Sequence, residues 1–133
     1  MRFLAVDLGD KRTGLAVGDD ELRMSQPLCV LEIPIGELLI FAITKAIEEQ
    51  DADALVIGLP LNMDGSPGQR VSITKDFASK LSSATNLEIH YQDERLTSTT
   101  AEEKLSGSGK THKQKKKMRD ALAAAEILND FLN

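Results

Sequence analysis

Cysteine is nearly absent. One residue, Cys29, stands in 133, which excludes an internal disulfide and a zinc cluster built on cysteines. Its neighbours Leu28, Val30 and Leu31 mark a buried strand thiol, and no histidine lies near it in sequence to serve as the base a nucleophile needs. Aromatics are scarce too, at 4% with one tyrosine and no tryptophan, which argues against single-strand recognition by base stacking. No apolar run approaches a membrane span. Met1 to Gly18 does not read as a secretory signal either, because it passes straight into strand-like sequence containing Asp7. These absences point to a cytoplasmic protein with no membrane partner.

What is present suits one domain over 1–133, since 41% hydrophobic residues in 14.5 kDa can fill a single core. The net charge of −5 argues weakly against generic adhesion to nucleic acid. Its distribution says more. Lys110, Lys113, Lys115, Lys116, Lys117 and Arg119 crowd one stretch that leads into the last helix. Cations at a helix start oppose the macrodipole by about a few tenths of a kcal/mol. A docked phosphate backbone would use both the lysines and the free N–H groups there; a solvated, mobile Ser106–Lys117 arm is the plainer alternative.

Arg2 to Gly9 is apolar on both alternating faces, the mark of a central strand covered on both sides. Asp10 to Arg12 turns the chain, and Thr13 to Gly18 and Pro27 to Ile33 complete an antiparallel meander. From Ile35 to Gln50, Leu38, Leu39, Ala42, Ile43, Ala46 and Ile47 recur at helical spacing. Ala54 to Gly58 reads as a buried strand, Leu59 to Gly68 as a loop punctuated by Pro and Gly, and Val71 to Leu81 as a helix. Leu87 to Tyr91 is the last strand, with Leu87, Ile89 and Tyr91 inward and His90 on the less buried face. Helices follow over Thr97–Leu105 and Lys116–Leu132. Strands linked by helices in the second half predict an α/β fold, a five-stranded mixed sheet with helices on both faces.

Three carboxylates fall where a core would reject them: Asp7 in the first strand, Glu94 after the last, and Asp120 on the helix stripe of Ala124, Ile127 and Phe131. Each has an ordinary reading, as a turn former, a solvated loop residue or a helix-start acid. Together they describe an anionic cluster. Two anions about 4 Å apart repel by roughly 4 kcal/mol at an effective dielectric near 20, so a cation must offset them. Mg2+ or Mn2+, hard ions that take oxygen ligands, suit three carboxylates and a phosphate. Gly109-Lys110-Thr111 imitates the end of a Walker loop, but Lys104 stands where that motif needs glycine, and the segment follows a helix rather than a strand.

Four ordered motifs carry a resemblance over the whole length: Val6-Asp7-Leu8-Gly9 with Lys11-Arg12 and Gly14-Leu15-Ala16-Val17; Gly58-Leu59-Pro60 with Asn62-Met63-Asp64-Gly65-Ser66; Asp93-Glu94-Arg95-Leu96-Thr97; and Asp120 with Ala123-Ala124 and Ile127-Leu128. The chain resembles the YqgF/RuvX family of Holliday junction resolvases or pre-16S rRNA nucleases, departing from its pattern at Gly18. The resemblance implies a ribonuclease H-like fold, Asp7, Glu94 and Asp120 as an acidic metal-binding triad, and cleavage assisted by two divalent ions. Lys11, Arg12 and Arg95 would then hold phosphates beside the basic residues already named, and Asn62, Asp64 and Ser66 would shape a loop beside the site. The implied partners are an rRNA precursor or a DNA junction, with ribosomal particles as a further candidate. Two other classes remain open on these residues. The opening strand-turn-strand also resembles the first phosphate loop of sugar kinases and actin-like ATPases, although this chain has no room for the second domain they close. A catalytically silent RNA-binding factor would use the basic stretch and not the triad.

Overall fold

The computed structural model describes residues 1–62, 64–93 and 112–133, with the backbone alone for 112–117. The elements are β1 (Arg2–Asp7), β2 (Thr13–Asp19), β3 (Met24–Leu31), α1 (Glu37–Gln50), β4 (Ala54–Leu59), α2 (Gln69–Thr85), β5 (Ile89–Asp93) and α3 (His112–Leu132). The helix expected over Thr97–Leu105 lies outside the described residues.

The strands form one mixed sheet in the order β3-β2-β1-β4-β5. β1, β2 and β3 run antiparallel in sequence order, whereas β4 pairs parallel to β1 and β5 parallel to β4. Parallel neighbours need crossovers, which α1 and α2 supply. The C-terminal ends of β1, β4 and β5 therefore share one edge of the sheet, marked by Asp7, Leu59 and Asp93.

Alternation along β1 sorts the core into two layers. Leu4 and Val6 pack with Leu15, Val17, Leu55 and Ile57 against Leu39 and Ile43 of α1 and Phe77 and Leu81 of α2. Phe3 and Ala5 pack on the opposite face with Ala16, Ala54 and Val56 against Ala124, Ala125, Ile127 and Leu128 of α3. Helices thus cover both faces, as the two-sided apolar pattern of β1 requires. On α1 the buried positions are Leu39, Ile43 and Ile47, four apart, while Leu38 is turned out and exposed.

Several boundaries differ from the sequence reading, each for a physical reason. β3 starts at Met24 and passes through Pro27, which an outermost strand tolerates because a missing N–H there leaves no ladder donor unmatched in the interior. The same edge position exposes Cys29, correcting the buried-thiol expectation. Neighbouring groups still remove enough water from its sulfur to push the thiol above its ordinary value, with the Glu49 carboxylate adding to that shift. α2 runs on to Thr85 and stops where Asn86 adopts a left-handed backbone, φ 59°. β5 is displaced toward Asp93, and Tyr91, expected inward, is exposed at this second sheet edge with Lys75 above its ring. His90 instead packs on the α3 side, its ring centroid 5.2 Å from that of Phe131 and 6.1 Å from that of Phe3. α3 begins at His112 rather than Lys116, so positions 113 and 115–117 belong to a helix and not to an arm. Lysine and glutamine are good helix formers and no glycine or proline interrupts them; apolar periodicity alone misses such a start.

Candidate metal and nucleic-acid site

Asp7 ends β1 on the α3 face, since it continues the alternation of Phe3 and Ala5. Its partner across the antiparallel ladder is Gly14. A Cβ on Gly14 would lie 1.9 Å from the backbone oxygen of Asp120 and 2.2 Å from its carbonyl carbon, a distance no side chain tolerates. Glycine therefore lets the backbone of α3 rest on β2. That contact delivers Asp120 to the strand pair carrying Asp7.

The Asp120 side chain is 27% exposed, at the rim of the apolar stripe, and Arg12 Nε lies 3.4 Å from its Oδ2. Arg12 is placed by a tight turn: the Gly9 N–H donates to Thr13 Oγ1 at 3.4 Å, and Thr13 itself is fully buried. With Arg12 48% exposed the pair is screened by solvent and worth at most about 1 kcal/mol. Lys11 is exposed beside it.

The loop before α2 is held by its own side chains. Ser66 donates through its hydroxyl and its N–H to Asp64 Oδ1, at 2.6 and 2.9 Å, and Asn62 Nδ2 donates to Ser66 Oγ at 3.1 Å. Arg70, in the first turn of α2, then pairs with Asp10 of the β1–β2 turn at 2.5 Å. This tie joins the loop to the turn that carries Lys11 and Arg12. Neither Asp10 nor Arg70 stood out in the sequence. The available signal was a cation in a helix's first turn with no acid beside it, which the macrodipole disfavours unless a partner waits elsewhere.

Asp7, Asp120, Arg12 and Lys11 are thus brought to one region, with Asp93, the residue before Glu94, at the same edge of the sheet. Glu94 and Arg95 lie outside the described residues. Arg119 is exposed on α3, and positions 113, 115, 116 and 117 are in the first turns of that helix. Among the described residues no three His, Cys, Asp or Glu side chains group closely enough to hold a metal ion. Asp7 and Asp120 offer carboxylate oxygens, the donor type that hard divalent cations accept.

An open mixed sheet clad on both faces, with acids at the C-terminal edge of its parallel strands, defines a ribonuclease H-like α/β protein. The chain belongs to the RuvX family: the family model, described as Holliday junction resolvase, matches residues 1–133. A protein of Anaeromyxobacter sp. (strain Fw109-5) named "Putative pre-16S rRNA nuclease" is 39% identical over 133 residues, covering 100% of this chain and 97% of that one. A protein of the same name from Lactococcus lactis subsp. cremoris (strain SK11) is 37% identical over 134 residues, covering 99% and 94%. In structure, the fowlpox virus resolvase in complex with substrate Holliday junction DNA is similar at a TM-score of 0.62, with 9% identity over 99% of this chain and 97% of that one. That last likeness is one of fold.

Proposed function

We propose that this chain is a divalent-metal-dependent endonuclease, a single cytoplasmic domain that cleaves structured nucleic acid, with 5′-end processing of precursor 16S rRNA as its task. The observation that supports this reading is that Gly14 pairs with Asp7 and carries the backbone of Asp120 against it, at the end of the sheet where β5 closes on Asp93. Full-length relatives named for pre-16S rRNA support the substrate.

Asp7, Glu94 and Asp120 would hold Mg2+ or Mn2+. Bound there as a pair, such ions supply an activated water and charge stabilisation for the leaving oxygen in phosphodiester cleavage. The chain's own residues do the rest. Lys11, Arg12, Arg95 and Arg119, with Lys113, Lys115, Lys116 and Lys117, would bind backbone phosphates, the arginines by two-pronged contacts. The interlocked Asn62, Asp64 and Ser66 would fix the loop beside the substrate path. Ribosomal particles are the partner such a substrate brings with it.

The family's description favours one second reading, cleavage of a four-way DNA junction. Purified protein incubated in Mn2+ with a 5′-extended 16S precursor fragment and with a four-way DNA junction separates the two. Cutting of the RNA, lost in Asp7→Asn, is the expected result. Cutting of the junction alone would replace the substrate, and equal cutting by Asp7→Asn would overturn the metal site.

A further inference from the structure

The pair between Arg12 and Asp120 poses a chemical conflict. A carboxylate that is to ligate a divalent cation is here in contact with a fixed organic cation. The two positions are tied together by the backbone, since Arg12 precedes Thr13 and Gly14, and Gly14 rests on Asp120 itself. The side-chain contact, by contrast, is loose. At 3.4 Å it is longer than the 2.7–2.9 Å usual for a charge-assisted N–H to carboxylate bond, it runs through Nε, and half the arginine faces solvent. The nearby Arg70–Asp10 pair, also solvent-exposed, closes to 2.5 Å and touches no candidate metal ligand, so it serves as the control for a charge lost beside the site.

We propose that Arg12 is the exchangeable counter-ion of Asp120: it neutralises the carboxylate in the metal-free protein, leaves it when a divalent cation is taken up, and then binds a phosphate of the nucleic acid. This rests on the metal-site reading above and adds an order of events. Arg12 is a positioning residue before metal uptake and a substrate-binding residue after it. Arginine suits both states, because its planar fork matches carboxylate and phosphate alike. Its release beside the metal ligands also places the freed cation where phosphate charge must be held.

The exchange makes Arg12 a competitor of the metal, so its removal tightens metal binding while weakening nucleic-acid binding. A merely structural ion pair would weaken or leave unchanged the first. The test is titration with Mn2+ alone, by calorimetry, of wild type, Arg12→Gln, Arg12→Lys, Arg70→Gln and Asp120→Asn. Arg12→Gln is expected to bind Mn2+ between about twofold and about fivefold tighter, the range that a solvent-screened pair converts to. Arg12→Lys, which keeps the charge, should return to the wild-type value, and Arg70→Gln should stay there. In parallel, binding of a labelled single-stranded RNA is followed against salt in EDTA and in Ca2+. Wild type and Arg12→Gln should share one salt slope in EDTA and differ by about 0.7 log units in Ca2+, one phosphate contact. Unchanged or weaker Mn2+ binding by Arg12→Gln, with binding still lost in Asp120→Asn, overturns the exchange and spares the metal site. Equal tightening in Arg70→Gln overturns it as a general charge effect. Mn2+ bound by none of the proteins overturns both.

Discussion

The two faces of the sheet are packed in different ways. On the α1 and α2 side, large aliphatic chains such as Leu4, Leu15, Leu39, Ile43 and Leu55 fill the layer. On the α3 side Phe3, Val56, Ile127 and Leu128 are buried too, but around them the sheet presents Ala5, Gly14, Ala16, Gly18 and Ala54, and α3 answers with Ala121, Ala124 and Ala125. A Cβ at Gly14 would meet the Asp120 backbone of α3, whereas one at Gly18 would meet first the Met24 backbone oxygen of β3, at 2.4 Å, and then the Leu128 side chain at 3.1 Å. Large side chains hold helices off a sheet; small ones let a helix backbone descend onto it. The thick face holds more of the fully buried leucines and isoleucines, each worth about 1.5–3 kcal/mol, and so supplies the larger share of stability. The thin face supplies position, because it sets how near Asp120 comes to Asp7.

That division can be broken at several points. Asp7→Asn, Glu94→Gln and Asp120→Asn are each expected to lower metal-dependent cleavage by at least roughly a thousandfold, several kcal/mol of transition-state stabilisation, with circular dichroism unchanged. Near wild-type turnover in any one removes that residue from the ligand set. Leu39→Ala should cost about 3 kcal/mol in denaturant unfolding, yet leave Mn2+ affinity of the folded protein intact, because it empties the thick face only. Gly14→Ala should cost about 1–3 kcal/mol and also lose Mn2+ binding, since α3 must lift to admit the methyl group. If Leu39→Ala loses metal and Gly14→Ala keeps it, the two faces do not divide their roles in this way.

Smaller effects sharpen the same contrast. Wild type should gain about 2.7 kcal/mol of stability at Mn2+ a hundredfold above its Kd, read as a rise in Tm. Without metal, Asp7→Asn should match wild type or exceed it by on the order of 1 kcal/mol, because one of the converging negative charges is gone. A metal-independent Tm in wild type would contradict the first, and a metal-free Asp7→Asn clearly less stable than wild type the second. Arg70→Gln, which cuts an exposed pair, should cost only about 0.2–1 kcal/mol.

Much of this was legible in the sequence because it is local or periodic. β1 is apolar on both faces, the meander precedes the helices, and Asp7 and Asp120 each interrupt an apolar stripe. What escaped is decided by neighbours distant in the chain. The exposure of Cys29 follows from β3 being outermost, and that of Tyr91 from β5 closing the other edge; neither order is written in the strand itself. The Arg12–Asp120 and Arg70–Asp10 pairs arise from packing between elements, and Gly14 reads as an ordinary strand glycine until a helix backbone is found against it. The start of α3 escaped for a different reason, as lysine-rich first turns have no apolar period to detect.

Whether the thin face brings acids together to hold a divalent cation is decided by crystals grown in Mn2+ and measured for anomalous scattering. A manganese peak coordinated by Asp7, Glu94 and Asp120 is expected, absent in crystals of Asp7→Asn. Well-ordered wild-type crystals in saturating Mn2+ with no peak among those three residues would contradict it.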